Sequence, residues 1–249
     1  MEELPRAATD SVQASLDSYF AAAMHEGLRG RFQVSKRGII HLGAHVGAEM
    51  ASYILAGYDK VLYVEPHPET HRTLVANVAA AEARRRALAD LLGAPFEPMF
   101  QTRCVAAGDR TGETMLHVTP RSENNTIHPG YADAILKHLG GELASSIRVP
   151  VRTLDELMEN LELGWKPEDF GVLYANIEGA ELMALRGAER TLASLEVVVV
   201  ETSDQVVELG SSVPRTSELD AFLTTHGFGE GVNLTSEGEF VYRAYVRSR

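Results

Sequence analysis

A short apolar run that stops at a glycine turn constrains this chain more than any other feature. Ile39-Ile40-His41-Leu42 ends at Gly43, and Gly43-Ala44-His45-Val46-Gly47 leads directly into a helix-like segment. A second apolar run, Val61 to Val64, ends in Glu65, which follows Gly43 by 22 positions. Nucleoside-binding folds use the order strand, tight turn, helix, strand and acid, with about 20 residues between the turn and the acid that meets the ribose. The pattern predicts an adenosine-containing cofactor.

The rest of the chain repeats the alternation. Helical patterns cover residues 47–57 and 68–92, the second opened by Pro68 and broken by Gly93-Ala94-Pro95. Strands are expected at Phe100 to Ala106, Thr114 to Val118, Arg148 to Val151, Gly171 to Ile177 and Leu195 to Glu201. One helix is expected over Ala180 to Leu192 and another over residues 215–226. Phe228 to Leu234 and Glu239 to Val246 read as a final antiparallel pair. Residues 119–146 are polar and irregular apart from a short helix, which is the signature of a lid or substrate loop. The layout is α/β with a central, mostly parallel sheet over residues 38–249. Residues 1–37 form an N-terminal extension, whose amphipathic stretch 11–30 either caps the core or packs on a second subunit as a homodimer contact.

His45 occupies the place of the second glycine in the dinucleotide pattern G-x-G-x-x-G, where backbone approaches a pyrophosphate. A bulky residue there favours a cofactor without phosphates, and S-adenosylmethionine fits. The run Val172-Leu173-Tyr174-Ala175-Asn176-Ile177-Glu178-Gly179-Ala180-Glu181, followed by Leu185-Arg186-Gly187-Ala188, resembles the FkbM family of S-adenosylmethionine-dependent methyltransferases. In that family the fourth strand usually ends Lys-x-Asp-Val-Glu-Gly-Ala-Glu. The resemblance extends through Gly43-Ala44-x-x-Gly47, Glu65-Pro66-x-Pro68, Ala107-Gly108-Asp109-x-x-Gly112, Thr153-Leu154-Asp155-Glu156-Leu157 and Glu201, over roughly residues 38–230. It implies a Rossmann-like class I methyltransferase fold, a seven-stranded sheet with an antiparallel last strand and helices on both faces. The family lysine is Tyr174 here and the family aspartate is Asn176. An amide can still donate and accept hydrogen bonds, but it cannot serve as a general base.

Methyl transfer needs alignment of acceptor and methyl, exclusion of water and, for a hydroxyl, removal of a proton. Gly43, Ala44, His45 and Gly47 are expected around the methionine part, with His41 at the strand end and Pro66 beside the acid. Glu65 is expected to accept the ribose hydroxyls. The resemblance implies an adenine pocket at Ala106, Ala107 and Asp109. Asn176 and Glu178 stand at the mouth of the fourth strand as catalytic candidates, and His128, in the loop with Asn124 and Asn125, is the best base candidate because imidazole titrates near neutrality.

Charge and composition narrow the partners. Against 35 Asp and Glu there are 23 Lys and Arg, a net charge of −12, and the one basic run, Arg84-Arg85-Arg86, reads as a solvated helix face. Nucleic-acid binding calls for a concentrated basic surface, so a small-molecule acceptor is expected, with O-methylation of a natural-product or sugar-type hydroxyl as the reading. A nicotinamide-dependent oxidoreductase and a non-catalytic S-adenosylmethionine-binding protein are the alternatives. The single cysteine, Cys104, excludes an intramolecular disulfide, and the His spacing suggests no metal. No apolar run approaches the ~20 residues of a membrane span and Met1 to Arg6 lacks a secretory core, so a cytoplasmic protein is expected.

Overall fold

The computed structural model describes residues 31–139, 143–204, 213–234 and 241–248. The helix expected over residues 11–30, and with it most of the N-terminal extension, lies outside them. The strands are β1 (Gly38–Leu42), β2 (Lys60–Val64), β3 (Phe100–Arg103), β4 (Ala106–Ala107), β5 (Gly112–Val118), β6 (Ser145–Arg152), β7 (Phe170–Ala175), β8 (Val197–Thr202), β9 (Val232–Asn233) and β10 (Val241–Val246). The helices are α1 (Met50–Leu55), α2 (Pro68–Leu92), α3 (Pro129–Leu139), α4 (Leu154–Glu159), α5 (Glu181–Arg186), α6 (Glu189–Ser194) and α7 (Thr216–Thr225).

Seven strands form one sheet in the order β3-β2-β1-β7-β8-β10-β9, in which β10 runs antiparallel to both its neighbours. This is the seven-stranded, mostly parallel sheet that the resemblance implied. Alternate side chains of each strand feed opposite faces. Ile40, Leu42, Leu62, Val64, Leu173, Val198 and Val200 pack with α4 to α7 on one side. Ile39, Val61, Tyr63, Val172, Tyr174, Val197 and Val199 pack with residues of α1 and α2 on the other. Strands apolar on both faces are what a parallel sheet covered by helices requires.

Register positions the site. Leu42 pairs with Val64 on one side and Ala175 on the other, so β1, β2 and β7 end level. The next residues, Gly43, Glu65 and Asn176, therefore emerge at one carboxyl edge, where open α/β sheets place their ligands.

Three expectations change. The strand expected over Phe100 to Ala106 divides: β3 stays in the main sheet, and β4 joins a separate three-stranded sheet of order β4-β6-β5. The helix expected over Ala180 to Leu192 is two short helices, α5 and α6, separated at Gly187. The strand expected over Phe228 to Leu234 is reduced to Val232–Asn233.

Candidate active site

The carboxyl edge opens into a cleft of about 520 Å³ lined by the ends of β1, β2 and β7, by Ala106 and Ala107, and by the segment from Ser122 to Ile127. That segment continues from β5, is bridged back to it by the mutual backbone bonds of His117 and Thr126, and crosses the cleft as a short 3-10 turn, Ser122–Asn124. The small sheet is thus the arm that carries one wall of the cleft.

The glycine turn is fixed by close packing. Gly43 has φ +80°, and a Cβ there would fall 1.8 Å from the carbonyl oxygen of Asn176, so no side chain fits. The backbone N–H groups of Gly43 and Ala44 both donate to the Val64 carbonyl, tying the turn to the neighbouring strand end. His45 follows with φ 46°, a left-handed conformation that histidine tolerates better than most residues. Its Nε2 lies 2.8 Å from Ser122 Oγ, and burial lowers its pKa, so the neutral ring bridges the turn to the crossing segment.

Glu65 is 6% exposed at the end of β2. Its Oε2 accepts the backbone N–H of His45 at 2.9 Å, and its Oε1 accepts that of His67 at 2.8 Å. Burial raises its pKa to about 7, against these two donors, which hold it down. Each oxygen keeps a lone pair for a further donor, which suits a vicinal diol. Opposite, Asn125 uses its Oδ1 to accept from Thr119 N at 2.9 Å, and its Nδ2 is buried without a partner in the cleft wall. A ligand acceptor would satisfy that donor.

At the mouth of β7, Glu178 lines this cleft and also a second cavity of about 350 Å³, shared with Tyr131, Glu181, Glu201, Thr202 and Ser203. Glu178 has φ 57°, and its carbonyl is held by Thr126 Oγ1 at 2.7 Å. Its carboxylate accepts from Tyr131, and burial first, then the charge of Glu201, push its pKa well above the usual carboxylate range. The Asn176 amide satisfies its neighbours when its nitrogen faces the acids. In that orientation the nitrogen donates to Glu201 Oε2 at 2.9 Å and Glu178 Oε1 at 3.2 Å, while the oxygen accepts from Tyr242 OH at 3.3 Å. The single Tyr242 hydroxyl proton is shared between that oxygen and Glu201, whose pKa burial likewise raises. Glu181 is buried and accepts the N–H of Ile177 at 2.9 Å, as a helix-start acid would.

Of the residues expected at the site, the cleft brings together Gly43, His45, Glu65, Pro66, Ala106, Ala107, Asn176 and Glu178. His41 is not among them. Strand parity turns it to the face opposite Leu42, where it sits 1% exposed, its Nδ1 hydrogen-bonded to Tyr53 OH at 2.9 Å and its ring against Tyr174. Ala44 is buried in the same core layer, and Gly47 packs against the Leu74 side chain of α2, where a Cβ would lie 2.8 Å from its Cδ1. Asp109 lies on an exposed bend beside Arg110. His128 caps α3: its Nδ1 accepts the Tyr131 N–H at 3.2 Å, so the lone pair a base would need is engaged. Ser122, Thr126, Tyr131, Glu201 and Tyr242 were not expected at the site. Ser122, Thr126 and Tyr131 fall within the 119–146 stretch read as a lid or substrate loop, and Glu201 within the resemblance, whereas Tyr242 reaches the site through long-range packing and left no sequence signal.

Among the described residues, no group of three or more His, Cys, Asp or Glu is arranged to hold a metal. Nor is any described helix long and apolar enough to cross a membrane.

Residues 41–229 match the family model of the methyltransferase FkbM domain. The chain belongs to the FkbM methyltransferase family. The cofactor of this FkbM protein is S-adenosylmethionine, and the match leaves the nicotinamide reading without support. Among solved structures, a methyltransferase FkbM from Methylobacillus flagellatus KT is 15% identical with a TM-score of 0.50, covering 85% of this chain. The chain spans 43% of that protein's length. The magnesium protoporphyrin IX methyltransferase of Synechocystis PCC 6803 with bound S-adenosylmethionine is 9% identical, with a TM-score of 0.46 over 100% of this chain and 86% of the other. An O-methyltransferase family protein from Burkholderia thailandensis is 12% identical, with a TM-score of 0.46 over 98% and 59%. A search of curated proteins returned no match.

Proposed function

We propose that this FkbM protein transfers the methyl group of S-adenosylmethionine to a hydroxyl of a small molecule. The observation that carries the reading is Glu178, a buried carboxylate that lines both the cleft at the sheet's carboxyl edge and the adjoining cavity. In this reading Glu65 accepts the ribose hydroxyls, Gly43 and His45 border the methionine part, and Ala106 and Ala107 give the adenine ring a flat wall. The unpartnered Asn125 Nδ2 supplies a donor to the ligand. The cofactor brings a methyl carbon already activated toward displacement. The chain's own residues align the acceptor, exclude water and receive its proton. Glu178 replaces His128 as the proton acceptor, since the imidazole is engaged in capping α3.

An acidic lining and a net charge of −12 oppose a nucleic-acid backbone and support a neutral or cationic acceptor. The test is incubation of the protein with S-adenosylmethionine and panels of hydroxylated natural products, sugars and RNA. The expected result is S-adenosylhomocysteine together with an O-methylated small molecule. Methylation of RNA alone would overturn the acceptor class, and failure to bind either S-adenosylmethionine or S-adenosylhomocysteine by calorimetry would overturn the placement of the site.

A further inference from the structure

We infer that Glu178 and Glu201, tied together by the Asn176 amide, act as one proton-sharing carboxylate pair that ionises against the sulfonium of S-adenosylmethionine and takes up the acceptor's proton when that charge disappears. The inference rests on the reading of the cleft given above and adds a charge cycle to it.

Two carboxylates sharing a buried site cannot both ionise cheaply. One amide nitrogen reaching Glu201 at 2.9 Å and Glu178 at 3.2 Å lets them stay close. The family aspartate at this position would add a third acid, whereas Asn176 adds a donor. The groups facing Glu178 are Glu201 from β8, Glu181 from α5, Glu123 from the crossing segment and the Tyr131 hydroxyl from α3, with Tyr242 from β10 behind Glu201. The acids raise the cost of a second negative charge, and the hydroxyls steady the first. Burial keeps the pair partly protonated in the empty protein.

A sulfonium in the cleft reverses this balance by favouring full ionisation, and one proton leaves. In the transfer step the acceptor oxygen forms its bond to the methyl carbon as the carbon–sulfur bond breaks. The electron pair of that bond stays on sulfur, and the hydroxyl proton passes to Glu178. A sulfonium facing two carboxylates becomes a neutral thioether facing one carboxylate and one neutral acid, so the transfer leaves the net charge of the buried site unchanged.

The two forms of the cofactor provide the test, because only one carries the sulfonium. Calorimetric titration of the full chain at pH 7, in buffers of different ionisation enthalpy, counts the protons exchanged with each ligand. S-Adenosylmethionine should release about one proton more than S-adenosylhomocysteine. Protons linked to ribose contacts are common to both ligands and cancel in the difference. Sinefungin, with an ammonium in place of the methylsulfonium, should behave like S-adenosylmethionine. Glu178→Gln should reduce the difference to near zero while still binding S-adenosylhomocysteine. Asn176→Asp should move the pH window of the difference upward, a readout that packing alone does not shift. Equal proton counts for the two ligands from pH 6 to 9 in the unsubstituted protein would overturn the pair and leave the methyltransferase reading intact. Absence of binding by both would instead remove the reading of the cleft on which the pair rests.

Discussion

Glu65 keeps a carboxylate where water scarcely reaches it, and that gives cofactor binding a pH dependence of known sign. In the free protein its pKa stands at about 7 because burial disfavours the charge. Ribose hydroxyls donating to the carboxylate favour the ionised form, so the complex binds fewer protons than the free protein and affinity rises with pH. Affinity for S-adenosylhomocysteine is expected to fall by up to about tenfold per pH unit below 7 and to level off above it. Glu65→Gln should flatten that profile and weaken binding by roughly 10- to 100-fold, the cost of a lost charge-assisted pair. Calorimetry from pH 5.5 to 8.5 decides it, and an unchanged slope in the variant would show that another group sets it. This residue was legible in the sequence because its role follows from a count along the chain. His41 was not, since only the registered strand shows which face it takes. Tyr131 and Tyr242 were not, since they reach Glu178 and Glu201 from elements far along the chain.

At the scale of elements, the break between α5 and α6 links the core to the cleft. Apolar spacing runs on through Leu182, Leu185, Ala188 and Leu192, all buried in one layer, so the sequence pattern reads as a single helix. Tertiary contact makes the break. The Gly187 carbonyl accepts the Asp155 N–H at 3.0 Å, and a Cβ on Gly187 would lie 2.1 Å from the carbonyl oxygen of Gly108. Gly108 directly follows Ala106 and Ala107 of the cleft wall. Gly187→Ala is therefore expected to cost about 1–3 kcal/mol by overpacking. The displaced wall should also weaken S-adenosylhomocysteine binding severalfold. Urea unfolding and calorimetry on the same variant separate the two effects, and a loss of stability with unchanged affinity would show that the wall does not move. The main sheet and its helices were otherwise legible, because period and turn residues are local signals. The three-stranded sheet was not, because β4 is two residues long and pairs Ala106 with Val151 of β6, 45 positions away.

For the whole molecule, the buried acids should move the stability optimum to the acid side of neutrality. Glu65 and Glu181 stand at about 7 in the fold, raised by burial from 4.5, so between those values the folded chain holds more protons than the unfolded chain. Stability is then fully present below about pH 4.5 and is lost as pH rises through 7, by on the order of 3 kcal/mol for each group. Asp169 and Glu196 act in the opposite sense. Hydrogen bonds from Lys166 and Lys60, and from Ser35 and Lys36, depress them despite partial burial, so their contribution is lost as pH falls through their folded values. Burial also lowers the pKa of His45, His71 and His128, so their contribution falls as pH drops below 6.5. The two limbs meet between about pH 5 and 6.5, and growing repulsion in a chain of net charge −12 steepens the upper one. The apoprotein's Tm is expected to peak there and to fall by roughly 10 °C by pH 8. Glu181→Gln, which keeps an acceptor for the Ile177 N–H, should recover part of that fall. Saturating S-adenosylmethionine should recover more, because its sulfonium and hydroxyls favour the ionised acids. A Tm maximum at pH 7 to 8 in the unliganded protein would mean that these carboxylates are better solvated than their burial implies, and the expectation that cofactor binding expels protons would fall with it.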